Sequence, residues 1–261
     1  GDVISPIDAN ASVAVDTVGA DATVTRNTEA TQSDVATTDT NGTDGSIVIR
    51  TESGTLTLTE GTATDDLDAD AALVAHGAGN ILLEAIGAGT DVVAEANADI
   101  ETSTGHVTLL AANAIDLGAD VDVSTGSTGT FDFDAGTGSL TMTATTTLTT
   151  VDGDIRLRAG DGTEDQIVLG DVFAPNANVS VQTPGSVLDT ADADNEVEAL
   201  GLRIDAGVGI GLLAGNTLGQ PTNAIETAVS TLSAVARGSD GINLLEDDAL
   251  TIGDVISPID A

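Results

Sequence analysis

Apolar and polar positions alternate in short bursts along this chain, and the bursts recur. Residues 129–158 read GTFDFDAGTGSLTMTATTTLTTVDGDIRLR. Phe131 and Phe133 alternate with Asp132 and Asp134, and 24 residues on Ile155 and Leu157 alternate with Arg156 and Arg158. A period of two marks strands rather than helices. Two further apolar pieces, Leu140/Met142 and Leu148, lie between the bursts. Openings of the form Gly-x-apolar-x-apolar start at Gly45, Gly79, Gly105, Gly129 and Gly153; Ala177 replaces glycine in the next, and Gly201 and Gly241 follow. The steps are 34, 26, then 24 four times, then 40 residues. A repeating period in this range signals stacked units. The pattern predicts one continuous parallel β-helix over residues 1–261, with about ten turns of roughly 24 residues. Ile115/Leu117, Leu140/Met142 and Ile167/Leu169 would form its second face, and Val121/Val123, Leu148 and Val172 its third. The polar stretches 27–44 and 62–71 read as loops leaving the stack. Residues 223–236 fit a helical face or a buried strand, and strand-like flanks favour strand.

Composition supports a thin core. Hydrophobic residues are 41% of the chain but aromatics only 1%. Small branched side chains fill a core that is one layer deep, as in quasi-one-dimensional repeats. Net charge is −37, from 43 acidic residues against 6 basic ones. That sign excludes an ordinary nucleic-acid partner, which needs clustered Lys and Arg, and disfavours docking on anionic lipid. It suits a salty or calcium-containing medium that screens the repulsion. Cysteine is absent, so no disulfide can form. No apolar run approaches the length of a membrane span.

The two ends carry the same nonapeptide. Residues 1–9 and 253–261 both read GDVISPIDA. The simplest account is one copy of a tandem repeat with a period of 252 residues. An alternative is a chain whose ends pair between subunits. A stack of parallel strands has two open ends with unpaired backbone groups, and the duplicated segment would be the seam at which the next copy covers them.

Stacking the openings predicts specific neighbours. Asp132 should lie beside Arg156, Asp134 beside Arg158, and Arg50 beside Glu84, each pair contributing roughly 0.2–1 kcal/mol. Candidate chemistry is sparse. His76 and His106 read as solvated corner residues without the partners of a metal site or a triad. Acidic groups offer weak calcium candidates: Asp161 with Glu164 and Asp165; Asp189 with Asp192, Asp194 and Glu196; Asp65, Asp66, Asp68 and Asp70; and Glu246 to Asp248. None has EF-hand spacing, so no cofactor is expected beyond possible Ca2+. With no lysine and arginines tied into ladders, the chain reads as a non-enzyme.

Residues 218–255 contain Asn-x-Ile-x-Thr-x-Val-x-x-Leu, then Gly-Ile-x-Leu, then Leu-x-Ile-Gly-x-Val. This stretch resembles units of large repetitive bacterial surface proteins of the filamentous-haemagglutinin and β-helix adhesin type. The resemblance implies a right-handed β-helix located outside the cell or on its surface, and it carries over no catalytic residues. The expected function is a structural repeat of an extracellular fibre or stalk, with further copies of itself as partners. The alternative is an adhesin segment that binds a cell-surface or matrix ligand through loops 27–44 and 62–71.

Overall fold

The computed structural model describes residues 15–18, 24–27, 34–37, 45–61, 71–191, 194–213 and 223–256. Every regular element in them is a strand. Most strands fall into three rows. The first row holds Ile47–Thr51, Ile81–Ala85, Val107–Ala111, Phe131–Ala135 and Ile155–Ala159, paired in parallel in that order. The second runs from Leu56–Leu58 through Ile115–Leu117 and Ile167–Leu169 to Gly241–Ile242 and forms an eight-stranded sheet. The third holds Val35–Thr37, Ala71–Ala75, Asp99–Thr102, Asp122–Thr125 and Thr147–Thr149. Strand alternation sends Val107, Leu109, Phe131, Phe133, Ile155 and Leu157 inward, all fully buried. One continuous apolar cluster takes side chains from all three rows. The rings of Phe131 and Phe133 stack at 5.9 Å, the only large aromatic contact among the described residues.

Each first-row strand is entered through a glycine, and close approach is the reason. A Cβ on Gly79 would lie 2.1 Å from the Gly45 carbonyl oxygen; on Gly105, 1.9 Å from that of Gly79; on Gly153, 1.7 Å from that of Gly129. No side chain fits there. Threonines tie these glycines together across rungs. The Thr102 hydroxyl donates to the Gly79 carbonyl at 2.7 Å and accepts from the Gly105 N–H at 3.1 Å. Thr150 does the same between Gly129 and Gly153, at 2.8 and 3.2 Å. Both hydroxyls are buried, so each satisfies groups that water cannot reach.

A second column stands one residue further on. Ser46 Oγ accepts the Asn80 N–H at 3.1 Å, Asn80 Oδ1 the His106 N–H at 2.8 Å, His106 Nδ1 the Thr130 N–H at 3.1 Å, and Asp154 Oδ1 the Asn178 N–H at 2.9 Å. At these four corners the residue after the corner caps the amide of the next rung.

The rows do not stay separate, and this corrects the expected right-handed parallel β-helix of about ten turns. Asp171–Thr183 runs extended through the place where earlier rungs turn. It pairs with Thr147–Thr149 in the third row and with Ile155–Ala159 in the first. Both rows thereby join one 15-stranded sheet, in which eleven strands sweep 309° around an axis. The result is a nearly closed, barrel-like parallel sheet with a second parallel sheet beside it. The physical reason lies in the pairing: Asp171–Thr183 is long enough to find parallel partners on both sides of the corner, with a register shift between Ala174 and Asn178, where Ala177 replaces the glycine of the earlier rungs. The long strands Val197–Ala206 and Ile225–Ala236 continue the merged geometry. The pairing step also drifts: Val179 pairs Leu202 and Leu202 pairs Leu232. Gly241 belongs to the second sheet, opposite Gly209, rather than opening a first-row strand. Ahead of the rows, Val15–Val18 and Val24–Asn27 form a separate antiparallel pair.

The corner geometry makes a prediction. Gly153→Ala should lower stability by roughly 1–3 kcal/mol through overpacking. Thr150→Val, nearly isosteric, should cost a similar roughly 1–3 kcal/mol by orphaning a buried carbonyl and amide. Urea unfolding midpoints check both, and unchanged midpoints would remove the corner from the account of stability.

Candidate functional site

Three places gather polar chemistry: a ladder of charges on the first row, a buried cluster of carboxyls beside the long strands, and a groove at the edge of the merged sheet.

The ladder follows from parallel register. Asp132 pairs Arg156 and Asp134 pairs Arg158 across adjacent strands, and Arg50 pairs Glu84. Arg156 grips Asp132 in a fork, Nε to Oδ1 and Nη2 to Oδ2, both at 2.8 Å. Arg158 Nη1 lies 3.2 Å from Asp134 Oδ2, and Arg50 Nε 3.0 Å from Glu84 Oε2. Two engagements escape the sequence reading. Arg203 Nη1 donates to Ser180 Oγ at 3.0 Å, and Arg237 holds Asp205 through both Nη atoms. Arg237 follows a 30-residue step between rungs, so the 24-residue period does not point to Asp205. These pairs are half-exposed and worth little individually. Their effect is on register, since a one-residue slip would set Asp132 and Asp134 beside Ile155 or Leu157 instead of the arginines.

The carboxyl cluster consists of Asp189, Glu196 and Glu226, one oxygen of each within 4.8 Å of the others. Asp189 ends a second-row strand, Glu196 precedes Val197–Ala206, and Glu226 is the second residue of Ile225–Ala236. Glu196 and Glu226 are 1% and 3% exposed. Glu196 Oε2 accepts the Glu226 backbone N–H at 2.6 Å. Burial pushes the Glu196 carboxyl up to about 10; hydrogen bonds with the Asp189 and Glu226 carboxyls and the Asp189 charge push the same way, against the backbone N–H. Glu196 is therefore a neutral acid at pH 7, able to donate a proton to a neighbouring carboxylate. As a cation site the trio offers three carboxylate oxygens, where calcium takes six to eight.

Of the acids singled out as calcium candidates, Asp189 and Glu196 are brought together, and Glu226 joins them from 30 residues away. Nothing in local spacing marks Glu226, because its neighbours come from strand pairing. Asp165 is used as a turn cap, its Oδ2 accepting the N–H groups of Asp161 at 3.1 Å and Gly162 at 2.8 Å. Asp194 lies apart, lining a surface depression with Asp171, Asn195 and Glu198. Glu246 caps the long strand instead, accepting the Val229 N–H at 3.0 Å and the Thr227 hydroxyl at 2.7 Å. Asp192 and the group Asp65, Asp66, Asp68 and Asp70 lie outside the described residues, as do most of loops 27–44 and 62–71.

The groove, about 590 Å3, is lined by Arg158, Asp161, Gln182, Pro184, Asp205 and Arg237. Both of its guanidinium groups are engaged with carboxylates, on Asp134 and Asp205. His106 Nδ1 accepts the Thr130 amide and lies 2.9 Å from the Thr130 hydroxyl, so it is engaged within the corner column. No helix among the described residues is long and apolar enough to cross a membrane.

No known protein family, curated protein or solved structure matches the chain.

The cluster sets a pH dependence. Glu196 ionises near 4.5 when unfolded and near 10 when folded. Between those values the folded chain keeps a proton that the unfolded chain has lost, so stability falls as pH rises through that window. Glu196→Gln keeps a neutral donor in place. It should flatten this slope and raise stability at pH 7, on the order of 1–3 kcal/mol. Denaturation of both proteins from pH 4 to 9 checks it, and parallel pH profiles would remove Glu196 as the source.

Proposed function

We propose that this chain is a structural repeat of an extracellular fibre or surface stalk, with copies added end to end. The single observation that carries the reading is the nonapeptide shared by residues 1–9 and 253–261 of the sequence. Each end of the array of parallel strands presents strands paired on one side only among the described residues. Ile47–Thr51 and Leu56–Leu58 stand at one end, and Gly241–Ile242 and Thr251–Ile252 at the other. Exposed parallel edges are templates for further strands. A following copy in the same sense would continue the rows at about 4.8 Å per rung.

Composition supports the same reading. The arginines described above are spent on groups of neighbouring rungs, the two that line the groove included. The charge of −37 keeps lateral faces apart at low salt while a screened medium relieves repulsion along the axis. The resemblance of residues 218–255 to repetitive bacterial surface proteins supports a site of action outside the cell.

Electron microscopy of the protein concentrated in high salt should show filaments of one copy's width. Compact single particles at every salt concentration would refute the proposal. Because like charges are crowded along the rows, the melting temperature should also rise by several degrees between about 0.1 and 1 M salt, over which the Debye length shrinks from about 10 to 3 Å. A flat melting curve across that range would show that self-repulsion is not a factor.

A further inference from the structure

The capping column described above ends in an unusual way. Ser46, Asn80, His106, Thr130, Asp154 and Asn178 succeed one another on consecutive rungs, and the next residue in register is Gly201. Gly201 has no side chain to continue the column. The space is filled by Val255, which is 8% exposed. A Cβ on Gly201 would lie 3.0 Å from Val255 Cγ1 and 2.6 Å from Asn178 Oδ1. Asn178 in turn donates Nδ2 to the Ile256 carbonyl at 2.9 Å. The Gly253 N–H donates to the Leu232 carbonyl at 3.1 Å. The segment 253–256 thus leaves the last strand and folds back over two rungs. It is held by a valine in a glycine-lined recess and by an amide on its backbone. The Ile256 side chain is 74% exposed and makes no use of the recess.

The seated segment, Gly-Asp-Val-Ile, is identical to residues 1–4. We infer that Asn178 and Gly201 form the receiving seat of the seam between copies, and that Val3 of a second copy of this chain occupies it as Val255 does here. The inference rests on the end-to-end reading and gives it an address. The first residues of each copy are held on the preceding copy, two rungs in from its end, and the overlap fixes the relative register of the two. In a covalent array residues 253–256 are themselves the start of the next copy. Between separate chains, residues 1–4 of one molecule compete with residues 253–256 of the other for the same recess. Gly201 is required because any side chain there would fill it. Asn178 is required because its amide reads the segment's backbone rather than its sequence.

The test uses the full chain carrying Val3→Asp and Val255→Asp, so that neither of its own copies fills the seat. It is titrated with fluorescein-labelled nonapeptide GDVISPIDA and followed by anisotropy, with circular dichroism showing that the strands persist. Saturable binding is expected, weakened roughly tenfold or more by adding Gly201→Leu and weakened by Asn178→Ala. A peptide with aspartate in place of its valine should not bind. Absence of saturable binding to the folded double variant overturns the inference, and so does binding that Gly201→Leu leaves unchanged. Should the aspartate variants unfold, Val3→Ala with Val255→Ala empties the recess more gently and is judged by the same outcomes. The two proposals fail separately. Filaments that persist when Gly201→Leu blocks the recess would keep the fibre and discard the seat. Peptide binding by a protein that never forms filaments would do the reverse.

Discussion

The constraint on which the structure depends is steric. For parallel strands to stack at sheet spacing while the chain turns a corner on every rung, the corner backbone must pass within contact distance of the carbonyl one rung back. At Gly79, Gly105, Gly129 and Gly153 that approach is too close for a Cβ. The buried threonine hydroxyls then satisfy the carbonyl and amide that the corner removes from water. From Asp171 onward the corner is no longer turned: Asp171–Thr183, Val197–Ala206 and Ile225–Ala236 each run on through it, the first with a register shift between Ala174 and Asn178. The change from separate rows to one curled sheet belongs to these three strands together.

The interior is consistent with the same constraint. A corner on every rung leaves a space one side chain deep from each row, and Val, Ile, Leu and Ala fill it without gaps that would call for aromatics. Phe131 and Phe133 are the exception, stacked on one strand. Outside, alternation leaves each rung's polar side chains directly above those of the rung before. That arrangement turns acidic abundance into a liability which the arginines relieve at chosen places. Arg156 is held in a two-point fork on Asp132 and therefore reports register more strictly than Arg50 or Arg158, which each show a single contact.

The Asp189, Glu196 and Glu226 cluster shows how the merged sheet differs from the regular rungs. It lies where a second-row strand meets two long strands, and one of its members, Asp189, pairs with the buried Leu169 of the preceding rung. With Glu196 neutral, the cluster buries one charge fewer. The same region carries the recess over Gly201. Both the most costly burial and the most specific seat therefore lie toward the C-terminal end of the array, where the 24-residue step has given way to irregular ones.

Strand character, parallel pairing and the facing of positions 24 residues apart were legible in the sequence, because alternation and a glycine period are properties of the local chain. The same spacing that separates Gly105, Gly129 and Gly153 separates Val107, Phe131 and Ile155 in their pairing. What the sequence could not show was how the rows join. Whether Ala177 turns or runs on depends on what lies one rung back, and so does the sharing of Asp171–Thr183 between two rows. Glu226 meets Glu196, and Val255 meets Gly201, across distances along the chain that no local pattern encodes. Periodicity is written residue by residue, whereas closure of a sheet and the burial of a charge depend on which strands become neighbours, and only the tertiary structure decides that.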